Sequence, residues 1–140
     1  MRIASIDYGK KRIGIALSDA NKVVAMPLTT LHSDGTIEDA VKQVKKILEP
    51  YHNEIELIIV GLPLLLSGKD SDITIETRQF IEALKKEIPR PVLAKDERFT
   101  SKVAETELKA MGYSRKKRSQ KTDPIAATIL LQNYLDSQRE

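Results

Sequence analysis

The sequence predicts an α/β fold: one five-stranded mixed sheet, opened by three antiparallel strands, with helices on both faces. Three observations carry this. Two apolar runs, residues 2–7 and 12–18, are separated by the short glycine-containing link YGKK, the pattern of a hairpin. The run ELIIVGL, residues 56–62, is continuously apolar and of strand length, which suits a central strand covered on both faces. From there on, helical periodicity alternates with short apolar runs, the order that lays helices against a sheet.

The first strand, 2–7, ends in the carboxylate Asp7. In the second, Ile13, Ile15 and Leu17 alternate with Gly14, Ala16 and Ser18, so one face carries only small groups and admits a helix or ligand closely. VVAMPLTTL, 23–31, reads as a third strand, and Pro27 predicts an edge position or an irregularity. A helix over 34–51 puts Ile37, Val41, Val44, Leu48 and Tyr51 on one face, with Pro50 marking its end. After the central strand, a second helix over 72–87 carries Ile73, Phe80, Ile81 and Leu84, followed by Ile88. PVLAK, 91–95, is a short strand. A third helix begins at Thr100 or Ser101, either of which can cap it, and stops at Gly112. A basic loop, 113–121, leads to a last helix over 124–137. With 140 residues and no repeat, low-complexity tract or linker, the chain reads as a single domain, 1–140.

Hydrophobic residues make up 41% of the chain, enough for a core and far from a disordered composition. Cysteine is absent, which excludes a disulfide frame and a thiolate zinc site. With His32 and His52 the only imidazoles, a metal would rely on carboxylates, which favours hard ions such as Mg2+ or Mn2+. No basic-then-apolar leader opens the sequence, and no apolar run approaches the ~18 residues of a membrane span, so a soluble, cytoplasmic protein is expected. The net charge of +3 is unevenly spread. Residues 1–33 carry +3, 34–90 carry −3, 91–121 carry +5 and 122–140 carry −2. If the two positive segments meet, they form a surface suited to a polyanion; otherwise they are solvated lysines on separate faces.

Four acidic residues stand at the ends of predicted elements: Asp7, Asp96, Glu97 and Asp123. In open α/β sheets ligands gather beyond the strand ends, where carboxylates distant in sequence can converge. Carboxylates packed together repel unless a cation lies between them, and phosphodiester cleavage is a common use of such a cation pair. Each residue also has a local explanation. Asp123 before Pro124 fits a helix N-cap followed by proline at the first helical position. Asp7 fits a turn, and Glu97 fits a surface ion pair with Lys95 or Arg98. The segment GLPLLLSGKD, 61–70, reads as a cleft rim in which glycine lets backbone approach a phosphate, or as a packed loop with an apolar plug. Its Leu64-Leu65-Leu66 run has no local explanation. Lys69 lacks a second phosphate-loop feature, and His32 and His52 read as boundary residues.

Taken together, IDYGKKRIGIALSD, VGLPLLLSG, KDERFTS followed by Ala104-Glu105, and DPIAATILL occur in that order across almost the whole chain. This set resembles the YqgF family, also called RuvX, Holliday junction resolvase-like proteins regarded as nucleases that mature the 5′ end of the 16S ribosomal RNA precursor. The resemblance implies a ribonuclease H-like fold. It implies an acidic set of Asp7, Glu97 and Asp123 acting as catalytic residues and as ligands for one or two Mg2+ or Mn2+ ions. Arg98 and Thr100 match the rest of D-E-R-x-T, with Ser101 where a second threonine is common. Lys11, Arg12 and Gly14 match K-R-x-G, and Gly61, Leu62, Pro63 and Gly68 match the G-L-P loop.

On that reading the chain is a metal-dependent hydrolase of phosphodiester bonds in ribosome biogenesis, with precursor rRNA as substrate. Lys11, Arg12, Arg98 and Thr100, with Arg115, Lys116, Lys117, Arg118 and Lys121, would contact the nucleic acid, positioning it without reading sequence. Three alternatives stand beside it: a resolvase of branched DNA, for which a homodimer rather than a monomer is expected; a nucleic-acid-binding module without turnover; and an actin-like ATPase hairpin, for which the chain is short. Six tyrosines and phenylalanines in all do not favour extensive base stacking.

Overall fold

The computed structural model describes residues 1–97 and 115–138, the stretch 115–124 as backbone only. The chain builds β1 (Arg2–Tyr8), β2 (Arg12–Ser18), β3 (Ala25–His32), α1 (Ile37–Leu48), β4 (Ile55–Leu62), α2 (Asp72–Glu87), β5 (Val92–Asp96) and α3 (Arg115–Gln138). The five strands form one sheet in the order β3-β2-β1-β4-β5. β1 is antiparallel to β2 and β2 to β3, while β1, β4 and β5 run parallel. The expected mixed sheet with its opening meander is therefore present. The helix expected from Thr100 or Ser101 to Gly112 lies outside the described residues.

Local chemistry sets the boundaries. β3 starts at Ala25 rather than 23 because the Asp19 carboxylate accepts the Val23 and Val24 N–H groups, at 2.8 and 2.9 Å, and holds them in a loop. Those bonds keep the Asp19 carboxyl below the usual range. Pro27 sits on an outer strand, and the register shifts opposite it, between Ile15 and Ala16. α1 starts three residues later than expected, since the Thr36 hydroxyl caps it by accepting from Asp39 N–H. Pro50 falls in a 3-10 turn, Glu49–Tyr51, that closes the helix. α2 begins with a reciprocal capping box between Ser71 and Thr74.

The final helix corrects two expectations. Residues 115–121 are helical, not a basic loop, and Asp123 lies inside the helix rather than at its N-cap. Arginine, lysine and glutamine are good helix formers, so a dense run of charge does not break the helix. Pro124 removes its own N–H from the ladder and its ring crowds the carbonyl four residues before it.

Helices cover both faces. α1 and α2 pack with Ile6, Tyr8, Ile13, Ile15, Ile58 and Val60 in the larger core, where Tyr8 stacks on Phe80 at 4.6 Å. On the other face α3 supplies Ala127, Leu130, Leu131 and Leu135 to a second core with Ile3, Ala16 and Ile59. The small face of β2 thus receives a helix, as its sequence pattern predicts. The buried Ser5 hydroxyl donates to the Ala127 carbonyl at 2.6 Å and fixes α3 on β1. The Gln132 amide bonds both ways at the start of β3, accepting from Ala25 N–H and donating to Val23 C=O of the preceding loop, each at 2.9 Å. Among the described residues no helix is long and apolar enough to cross a membrane.

Candidate active site

Because β1, β4 and β5 are parallel, their C-terminal ends meet at one edge of the sheet, with β4 in the middle. Strand side chains alternate between faces. On β1, Ile3 and Ser5 face α3, which puts Asp7 on that face as well. On β4, Leu57 and Ile59 face α3, and Gly61 follows two residues on. On β5, the Lys95 ammonium lies 5.2 Å from the Tyr134 ring centroid of α3, and Glu97 again follows two residues on. Tyr134 and Leu135 of α3 line a small cavity with Ile3 and Leu57, at the start of those strands, so α3 runs antiparallel to β1. As a backbone position, Asp123 precedes Ala127 by one helical turn, ~6 Å toward the edge where β1 ends.

Glu97 is held in place from two directions. Its N–H donates to the Leu62 carbonyl at 3.1 Å, which extends the β4–β5 ladder one residue past the strand. Its carboxylate lies over Gly61, so closely that a Cβ there would stand 2.5 Å from Glu97 Cδ. Glycine at 61 therefore makes room for a carboxylate of this chain. That is a different reason from the phosphate approach suggested by the sequence.

The charge environment is unfavourable for an isolated carboxylate. Burial, then the negative charge of Asp7, then that of Asp96, push the Glu97 carboxyl from 4.5 up to about 8. Glu97 is half-buried and not a surface residue. Asp7 is half-buried inside β1, paired with Gly14 of β2, and so is not a turn residue. Asp96, paired with Leu62, is exposed and reaches Glu97 through its field.

Among the described residues no three Asp, Glu, His or Cys side chains gather tightly enough to hold a metal ion. The described donors at this edge are nonetheless all carboxyl oxygens whose charged forms repel one another, a chemistry that fits a hard divalent cation. A complete ligand set would need a donor from outside them, and Asp123 is the acidic residue of α3 nearest this edge in sequence order.

The other expected residues divide in two. Lys11 is exposed and Arg12 half-buried at the β1–β2 hairpin, which Ser33 pins through its N–H to Lys11 C=O (2.9 Å) and its hydroxyl to Lys10 C=O (3.1 Å). Leu62 is buried in the larger core, Pro63 accepts the Thr74 hydroxyl, and Gly68 closes the following turn. Arg98 and Thr100 lie outside the described residues. Arg115, Lys116, Lys117, Arg118 and Lys121 are described only as helical backbone.

A five-stranded sheet of this order, with acidic residues converging where the parallel strands end, defines a ribonuclease H-like α/β protein. The chain shares that fold with Thermus thermophilus RuvC, solved in complex with a Holliday junction substrate (TM-score 0.58, 16% identity, 99% of this chain and 96% of that one). A ROK hexokinase from Thermus thermophilus shares it over 77% of this chain and 38% of its own (TM-score 0.50, 19% identity). Sequence comparison narrows the class. The model of the family described as "RuvX: Holliday junction resolvase" matches residues 1–137. Relatives named "Putative pre-16S rRNA nuclease" include those of Protochlamydia amoebophila (41% identity, 97% of this chain, 93% of the relative) and Bacteroides fragilis (38%, 99% and 98%). The chain belongs to the RuvX family, as the four motifs of its sequence implied.

Proposed function

We propose that this protein is a metal-dependent nuclease that hydrolyses a phosphodiester bond in the precursor of 16S rRNA, within ribosome biogenesis. The observation that carries the proposal is the Glu97 carboxyl, seated on Gly61, its charged form disfavoured by burial and then by Asp7 and Asp96. Such a site stores electrostatic repulsion that a divalent cation relieves. The names of relatives covering nearly the full chain supply the substrate class.

Asp7, Glu97 and Asp123 are the proposed catalytic carboxylates and the proposed ligands of one or two Mg2+ or Mn2+ ions. Bound there, the ions would supply Lewis acidity for attack of water on phosphorus and for departure of the leaving oxygen. The protein's own contribution is preorganisation. The Leu62 bond and Gly61 fix Glu97, and the β1 ladder fixes Asp7. Lys11 and Arg12 on the pinned hairpin, with Arg98, Thr100 and the cations of residues 115–121, would hold backbone phosphates. No group in this set is a nucleophile that requires a covalent enzyme intermediate.

The family description and the fold shared with RuvC favour a second reading, cleavage of branched DNA. Purified protein and Asp7→Asn are incubated with precursor 16S rRNA and with a four-way DNA junction, each with Mg2+, Mn2+ or chelator. Metal-dependent product on RNA, lost in Asp7→Asn, supports the proposal. Product on the junction alone moves the substrate to DNA. Wild-type cleavage by Asp7→Asn overturns the site, and binding without any product leaves a non-catalytic module.

A further inference from the structure

We infer that Leu65 and Leu66 form an apolar wedge that contacts nucleobases beside the phosphate to be cleaved; the inference rests on the nuclease reading above. The triple-leucine run separates in the structure. Leu64 packs against the larger core, whereas Leu65 is 48% exposed and Leu66 66% exposed.

This exposure is built into a firm turn. Leu65 N–H donates to Lys69 C=O at 3.0 Å, and Gly68 N–H donates to Leu65 C=O at 2.7 Å. Gly68 takes φ +87°, a conformation that a side chain would oppose. The Thr74 hydroxyl donates to Pro63 C=O at 2.5 Å and ties the loop's base to α2.

The turn is anchored to the candidate site. The Leu62 carbonyl accepts two N–H groups, that of Glu97 at 3.1 Å and that of Leu64 at 3.0 Å. One peptide group thus positions both a candidate metal ligand and the start of the leucine turn. Leu65 is three residues beyond Leu62, at most ~11 Å of chain. That span covers about three base steps at ~3.4 Å each.

The size of the feature selects its partner. Ser67, Gly68, Lys69 and Asp70, which follow the two leucines, are all exposed and none is apolar. A stable protein interface needs about 800 Å2 per partner, with an apolar centre. Two aliphatic side chains on a narrow turn match instead the wedges that proteins insert between base steps. Among the described residues, Tyr8 and Phe80 cannot serve, because they are buried against each other.

The test uses the full chain and a precursor 16S rRNA fragment carrying 2-aminopurine on either side of the cleavage position. The double variant Leu65→Ser/Leu66→Ser is compared with wild type and with Leu65→Met/Leu66→Met. Binding is read in the Asp7→Asn background, and cleavage in the native background with Mg2+. We expect a fluorescence rise on binding that the serine pair loses and the methionine pair keeps. Cleavage should fall at least tenfold in the serine pair, with thermal stability unchanged. Wild-type cleavage and wild-type fluorescence in the serine pair, whether or not it loses affinity for some protein, overturn the inference. If the wild type itself cuts no RNA, the nuclease reading fails first and the wedge with it.

Discussion

Gly61→Ala probes the closest contact in the candidate site. The new methyl would stand 2.5 Å from Glu97 Cδ, where carbon atoms normally rest about 3.5–4.0 Å apart. The carboxyl group must therefore retreat by roughly 1 Å or more. Its backbone cannot follow freely, because Glu97 N–H is bonded to Leu62 C=O on the same strand as the substitution. The atoms it meets are the far end of a flexible side chain, so the cost is at or below the low end of core overpacking, about 1 kcal/mol. For a chain of this size that corresponds to a melting temperature lower by roughly 3 °C, measured by differential scanning calorimetry. A displacement of ~1 Å in a catalytic carboxylate costs on the order of 100-fold in cleavage. Glu97→Asp, shorter by one methylene, should relieve part of the clash, so the two substitutions should couple favourably by about 0.5 kcal/mol or more in a double-mutant cycle. A Gly61→Ala protein that melts within about 1 °C of wild type and cuts RNA at the same rate would refute the placement of Glu97 over this glycine.

Other expectations follow from the same geometry. The Glu97 carboxyl, held at about 8 against an ordinary 4.5, keeps a proton in the folded chain that the unfolded chain has already released. Metal-free stability should therefore fall as pH rises from about 4.5 to about 8. Glu97→Gln should flatten that decline in urea titrations, and a parallel pH profile in the variant would contradict the shift. Asp7→Asn removes a like charge beside Glu97 and should bring the Glu97 carboxyl back toward its ordinary range while abolishing cleavage; an unchanged Glu97 titration, read by NMR, would argue against the repulsion. Ser5→Ala removes a buried bond to the Ala127 carbonyl, which keeps its partner within the helix, and should cost about 0.5–1.5 kcal/mol by chemical denaturation, with a neutral result excluding the bond. RNA affinity should fall linearly on a logarithmic salt scale, by a slope that Lys11→Ala reduces by about 1; an unchanged slope would remove Lys11 from the phosphate contacts.

The sheet was legible because its signals are periodic. Alternation in Ile13, Ile15 and Leu17, and the unbroken ELIIVGL run, locate β2 and β4 almost to the residue. Boundaries decided by side-chain hydrogen bonds were less so: Asp19 delays β3, and Thr36 rather than Asp34 opens α1. The helical state of 115–121 is hidden by its charge, since a cationic run reads as a solvated loop although its residues favour helix. Within the site, strand ends pointed to Asp7 and Glu97, but Gly61 was credited to a ligand because no local pattern reveals a contact made across two parallel strands. The split of Leu64 from Leu65 and Leu66 needed the turn itself, which depends on the positive φ of Gly68.

The amide of Gln132 has a consequence beyond holding α3. β3 is an outer strand, and its start would present Val23 C=O and Ala25 N–H to any passing chain. Gln132 occupies both groups, and Pro27, two residues further, offers no N–H at all. A foreign strand therefore finds no ladder to extend along this part of the border. Sheet growth into ribbons or swapped assemblies is discouraged here by one side chain borrowed from a helix. Among the described residues, strand addition would have to use the later part of β3 or the other outer strand, β5.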